Sequence, residues 1–402
     1  MSGLTLRAEV NGLPADGSQI LMPITISQGR SGVDAQADAP QANLTWLSTY
    51  TAPTFGDRID LIVSLPTPGD APAYDSTVVM YDDPTATYDG SWLTELPRFS
   101  GTVTDVITQE QSGLPGLVQI VAISPQAELG RVTVQLSRPS EDDISRVTAI
   151  AAAAGVGIEI HGNPGPLLAP AELNTDALAA IQEMCNSSAG LLWSDTSGVL
   201  HYGTGDHRTL THPMAVIPAH VIISGLEWKA TLADLINKVI VSWATGQSTL
   251  TDDISISVYG VREESVSTTL VDQAAADQLG VVILARRAWP FAQITDVLLD
   301  SAFITDTAAL YAAIRLRVSD ALLLPIPPDP GPTGLLAEWI AEGWQEEWLA
   351  RDHVTIQFAV SDRARFAQTT LRTWGHAETN TWEAELARGA WLDTLILNPG
   401  EA

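Results

Sequence analysis

The sequence predicts an α+β fold dominated by β-structure. Three observations carry that reading. The first 125 residues hold several strand-like runs with no helical period between them. Residues 126–205 switch to a compact alternation of strands and helices. A second strand-rich region begins near residue 233.

The bulk numbers fit a multi-domain globular chain. At 402 residues it is long enough for two to four domains, and 45% apolar residues can fill real cores. With 20 basic against 48 acidic residues the net charge is −28, which argues against a basic nucleic-acid-binding surface. An acidic wall can still line a passage for DNA, because it repels phosphates and does not trap them. Only Lys229 and Lys238 are lysines, a bias of high-GC coding. One cysteine, Cys185, rules out a disulfide framework or a thiolate zinc site built within the chain. The start, MSGLTLRAEV, lacks a basic-then-apolar leader, and there is no run of 18 apolar residues. The expectation is a soluble protein made in a cytoplasm.

In chain order, LTLRAEV alternates at Leu4, Leu6, Ala8 and Val10, and strands follow at Ile20–Ser27, Ala42–Ser48 and Gly56–Leu65. In ELPRFSGTVTDVITQE, Arg98, Ser100, Thr102 and Thr104 alternate with Phe99, Gly101 and Val103, so Arg98 is expected on a wet face. The phase then slips near Asp105, predicting a bulge. Gly116–Ser124 is apolar on both faces, as a central strand would be. Strands without helices between them suggest an antiparallel barrel or sandwich.

From Pro125 the period changes. RVTVQLS is a strand, and PSEDDISRVTAIAAAAG is a helix, with Ser140 as N-cap, Asp143 three residues on, and Gly155 as stop. GIEIHG is a strand, NTDALAAIQEMCNSSAG a helix ending at Gly190, and LLWSDTSGVLHYG a hairpin turning at Asp195–Gly198. This unit, about 126–205, reads as an insertion. Beyond it, INKVIVSW and DISISVYG read as strands, and the segment after Asp272 as a helix stopped by Pro290. QITDVLLDS, DALLLPIP and HVTIQFAVS read as strands, with DTAALYAAIRL a short helix. In GLLAEWIAEGWQEEWLARD the spacing of Leu336, Ile340, Trp344 and Trp348 favours a helix, while Gly343 and the tryptophans also suit a strand. Trp374, Trp382 and Trp391 read as a docking arm.

Chemistry is sparse. No nucleophile elbow, Walker loop, HExxH helix or CxxC pair occurs, and Gly155 and Gly157 serve a helix stop and a turn. Asp206, His207, His212 and His220 gather zinc-ligand types, but loop histidines are the plainer account of that loose spacing. Asp82, Asp83 and Asp89 before Gly90 miss the calcium-loop spacing and read as a polar hairpin loop. Glu338, Glu342, Glu346 and Glu347 beside Trp339, Trp344 and Trp348 resemble a glycosidase pair with a stacking platform, though such acids are usually solvated and such tryptophans core. Cys185 reads as inert packing. The sequence therefore nominates no catalytic, cofactor-binding or metal residue.

The succession GDRIDLIV, RFSGTVTDV, ALAAIQEMCNSSAGLLWSDTSGVLHY, INKVIVSW, SISVYGVRE, ARRAWP and EGWQEEW…HVTIQFAVS resembles the minor tail or baseplate-hub proteins of long-tailed phages, notably those of actinobacteria. The likeness runs along nearly the whole chain without a sharp motif. It implies two tube-type antiparallel β-barrel domains with a small inserted α/β domain and a C-terminal arm. The implied boundaries are 1–125 for the first barrel (completed by about 206–232), 126–205 for the insert, 233–372 for the second barrel with helices, and 373–402 for the arm. It also implies that the EGWQEEW element is a strand paired with the next one. As implied, three copies form a pseudo-sixfold ring that continues the tail tube at the tail tip of the virion. The ring joins distal tail, tape measure and tip or fibre proteins and lets DNA pass without specific binding. No cofactor, enzymatic step or membrane insertion is implied, and no peptidase or lysozyme domain is appended. A trimer would carry −84, three times −28. The alternatives are a tail-associated cell-wall hydrolase, a carbohydrate-binding receptor protein, and a hexameric distal tail protein.

Overall fold

The computed structural model describes residues 4–30, 36–67, 92–110, 116–211, 213–223, 228–230, 232–290, 292–294, 297–325 and 336–363. Of the described residues, 49% are in strands and 21% in helices, a β-dominated α+β content. The main element is a mixed sheet of twelve strands drawn from both ends of the chain. Its N-terminal members are β1 (Thr5–Val10), β2 (Leu13–Pro14), β3 (Ile20–Gly29), β4 (Asp38–Leu47), β5 (Arg58–Thr67), β6 (Trp92–Gln109) and β7 (Leu117–Ile123). They lie in the order β3-β4-β7-β6-β5-β1-β2. The long strand Leu336–Ala350 continues the sheet beyond β3 and carries the C-terminal strands Ala321–Pro325 and His353–Asp362.

Alternation builds one face of this sheet into a core. Ala42, Leu44 and Trp46 of β4 and Val118, Ile120 and Ala122 of β7 are buried, while Asn43 and Gln119 point out. β7 sits between β4 and β6, the central place its apolar run predicts. The bulge expected near Asp105 is present, because Val103 opposes Ala122 and Asp105 opposes Val121, leaving Thr104 as the extra residue.

The sequence missed a second bulge. Leu61 opposes Phe99 and Ile62 opposes Pro97, so Arg98 is the unpaired residue. The bulge re-aims Arg98 inward, and its exposure is 2% where a wet face was expected.

Two expected barrels do not emerge as separate closed rings among the described residues. One sheet runs continuously through both ends of the chain. The long strand makes the join: residues 336–340 pair with Ala321–Pro325, and residues 343–348 then pair with β3. A register shift between Ala341 and Gly343 marks the transfer. The sheet is nonetheless strongly curled. A backbone hydrogen bond of 2.8 Å from Leu6 N–H to the Arg351 carbonyl brings β1 round to the tip of the C-terminal hairpin.

A second core gathers Val147, Ile150, Ile181, Cys185 and Tyr202 of the inserted unit with Ile236, Val239, Val241, Leu279 and Leu284. The boundary expected at 233 therefore does not separate cores, because residues 236–288 pack with the insert. Within the unit, helix Asp143–Ala153 is capped by Asp142, which accepts from Ser145 N–H at 2.8 Å, and not by Ser140. Ser140 Oγ donates to the Leu168 carbonyl instead. Helix Ala177–Ser188 ends at Ala189, one residue before the expected glycine, with φ 56°. The expected strand DISISVYG is the helix Asp253–Tyr259: Asp252 caps Ser255 N–H at 2.9 Å, and Val258 of the apparent alternation is exposed.

Gly343 explains the close approach of the long strand to β3. A Cβ there would lie 2.4 Å from the Gln28 carbonyl oxygen and 2.6 Å from Arg30 N, both backbone atoms with little room to yield. Gly343→Ala is expected to lower stability by about 1–3 kcal/mol through overpacking, read as a shifted denaturant midpoint at unchanged slope.

Candidate functional site

The long strand places Glu342, Trp344, Glu346 and Trp348 on one face, at period two. All four are buried, and Glu342 has no exposed surface. Charges this deep must be paired. Glu346 accepts from Arg98 Nε at 2.9 Å, from Trp344 Nε1 at 2.8 Å and from Trp348 Nε1 at 2.9 Å. The Arg98 guanidinium also donates to the Ile314 carbonyl and lies 5.3 Å from the centroid of the Trp344 ring. Since β3, β4 and β7 separate the long strand from β6 in the sheet, this pair crosses the interior of the curl.

Glu342 accepts from Arg30 Nε at 2.7 Å and from Ser361 Oγ, with Arg208 Nη1 3.5 Å away. Burial alone would raise its pKa. The charges of Arg208 and Arg30, with the hydrogen bonds from Arg30 and Ser361, more than offset this and hold it down to about 2.

These contacts remove the basis for a glycosidase pair. Both buried carboxylates are paired with an arginine and bonded to at least one further donor. The nearby cavity of ≈ 350 Å³ is lined by Gln28, Arg30, Trp344, Gln345 and Gln357 among others, but by neither Glu342 nor Glu346. Glu338 bonds to Arg363, and Glu347 points to solvent.

A second cluster lies on the inserted unit. Strand Ile158–His161 runs parallel to Leu200–Gly203, which pairs antiparallel with Leu191–Ser194. Glu159 stands opposite His201 and His201 opposite Trp193, so these side chains and His161 share one face. Ile158, Ile160, Leu200, Tyr202 and Leu192 turn to the core on the other face. Trp193 stacks on His201 at 5.3 Å and on His207 at 5.8 Å between ring centroids. Gly203 admits this stack, because a Cβ there would come within 2.9 Å of the His207 ring. His161 Nε2 and His201 Nδ1 are 2.8 Å apart. Burial lowers the pKa of His161 and takes that of His207 down to about 4, with neighbouring His161 and Arg208 adding to the latter. Asp195 is held at about 2: burial opposes this, but the nearby His201 ring and hydrogen bonds from Ser197 and the Val199 N–H outweigh it.

Of the histidines the sequence singled out, only His207 joins this cluster. His220 is exposed near Asp306, Asp206 is bonded to Asn163 and Thr204, and His212 lies outside the described residues. So do Asp82, Asp83, Asp89 and the tryptophans of the C-terminal arm. Cys185 is buried, and burial pushes its thiol pKa well up, which suits inert packing. His161 and His201 were missed. The Glu-x-His pair of GIEIHG was a visible signal of shared strand face, but its parallel pairing with LHYG was not.

No protein-family model and no curated protein matches the chain. Solved structures do. A tail protein from Neisseria meningitidis MC58 is similar over 91% of this chain and 99% of its own, with TM-score 0.63 and 11% identity. The 43 kDa tail protein of prophage MuSo2 from Shewanella oneidensis is similar over 90% and 99%, with TM-score 0.58 and 12% identity. A prophage tail protein from Listeria monocytogenes EGD-e is similar over 90% and 98%, with TM-score 0.52 and 10% identity. The fold is thus one that phage tail proteins adopt.

Glu342→Gln leaves Arg30 and Arg208 buried beside a neutral partner and is expected to cost about 3–5 kcal/mol. Because the folded pKa lies below the ordinary 4.5, the stabilisation by Glu342 is complete above about pH 4.5 and is lost as pH falls towards 2. Chemical denaturation across that window is expected to show a steeper acid loss in the parent than in the variant.

Proposed function

We propose that the chain is a structural hub or adaptor at the tip of a phage tail, with no catalytic step of its own. The observation that carries this reading is a fold shared along nine-tenths of the chain with three tail proteins at 10–12% identity. Fold likeness without sequence likeness argues for an architectural role, but fold by itself does not fix function. The carboxylates of the long strand, buried and paired with arginines, support the same side.

In this reading three copies form a pseudo-sixfold ring that continues the tail tube. The curl of β3-β4-β7-β6-β5-β1 onto the hairpin tip supports one barrel-like wall segment per chain. The strands between Val297 and Asp362 supply the second. Residues 126–205 and 236–288 form an outlying unit, and the arm 373–402 docks on a neighbouring tail component. The net charge of −28 per chain favours unhindered passage of DNA through the ring.

Subunit counting tests the proposal. Native mass measurement of the purified chain, together with electron microscopy of intact particles, is expected to give three copies on the tail axis. A monomer with no axial density overturns it, and six identical copies replace it with a plain hexameric ring.

A further inference from the structure

We propose that Glu159, His161 and His201 bind a divalent transition-metal ion of the zinc class. The three side chains project from neighbouring positions of two parallel strands, and their ligating atoms all lie within 4.8 Å of one another. His161 Nε2 and His201 Nδ1 face each other at 2.8 Å, and Glu159 Oε2 is 3.6 Å from His201 Nδ1. Two imidazole nitrogens and one carboxylate oxygen are a donor set for zinc, cobalt or nickel, and not for calcium or magnesium, which take oxygen ligands. With metal–nitrogen distances of about 2.0–2.1 Å, the two nitrogens on a tetrahedral ion stand about 3.3 Å apart. The rings therefore need to separate by only about half an ångström.

The far side of His201 is an independent observation. Its side chain is 8% exposed, yet Nε2 makes no well-formed hydrogen bond and sits 3.4 Å from Asp195 Oδ2. Asp195 is itself fixed, its Oδ1 accepting from Ser197 N–H, Ser197 Oγ and Val199 N–H at 2.9, 2.7 and 2.9 Å. A rigid carboxylate behind Nε2 favours the proton on that nitrogen and leaves Nδ1 free to ligate. This is the carboxylate–imidazole–metal arrangement of established metal sites. Trp193 stacks on both ligand rings, and His207 lies tilted against His161, so their planes are fixed. The proposed site departs from the expectation that the chain holds no metal, and it does not depend on the tail reading.

The test is calorimetric titration of the chelator-treated full chain with zinc chloride, alongside the visible absorption of a cobalt(II)-loaded sample. One ion per chain is expected. His161→Ala is expected to abolish the cobalt spectrum. Asp195→Asn is expected to weaken zinc about 10–100-fold, the usual cost of losing an outer-shell partner. Glu159 is exposed, so Glu159→Gln leaves the fold intact by circular dichroism, and it too is expected to weaken binding at least tenfold. Absence of zinc binding by the parent chain overturns the proposal. So does parental affinity in both His161→Ala and Glu159→Gln, which would move the ion to another histidine.

Discussion

Two carboxylates in the middle of one strand constrain the rest of the molecule. Glu342 and Glu346 sit where water does not reach, and an uncompensated charge there would cost several kcal/mol. Each is answered by an arginine from far away in sequence: Arg30 at the end of β3 and Arg98 in β6. These pairs are more than local neutralisation. Arg98 reaches Glu346 only if the sheet curls over three intervening strands, and only if β6 bulges to turn the side chain inward. The two indole N–H groups complete the shell of Glu346, so tryptophans that look like packing residues also satisfy a charge.

The inserted unit is joined to the sheet by the same logic. Consecutive residues of one short turn serve the two bodies. His207 stacks on Trp193 in the insert, while Arg208 approaches Glu342 in the curl. Gln28 of β3 donates to the Ser194 carbonyl at 2.9 Å, and Leu191 and Trp193 belong to the main core. The unit is an insertion in sequence but is held by polar and apolar contacts on the face of β3 and β4.

Elements set by local rules were legible in the sequence. Strict alternation marked β1 and His353–Asp362, an apolar run marked β7 as a central strand, and the slipped phase at Asp105 marked the bulge. A Gly-containing turn gave the hairpin at Asp195–Gly198. The failures share a cause, which is a distant partner or a competing cap. Arg98 reads as surface until Glu346 is known. The strand Leu336–Ala350 has the spacing of a helix, and only family resemblance favoured its pairing. Asp253–Tyr259 alternates like a strand, yet Asp252 caps it into a helix and also accepts from Trp289 Nε1 at 2.9 Å. The His161–His201 pair was invisible because parallel register is a tertiary fact, set by the helices packed beneath those strands.

The geometry of the long strand bears on how the molecule meets mechanical force. Between residues 343 and 348 it is zipped on both edges, to β3 and to His353–Asp362, with both ion pairs within that span or at its margin. A pull along its axis loads all of these bonds in shear at once, whereas a pull across it would peel them one by one. The chain is therefore stiffest along the axis of this strand.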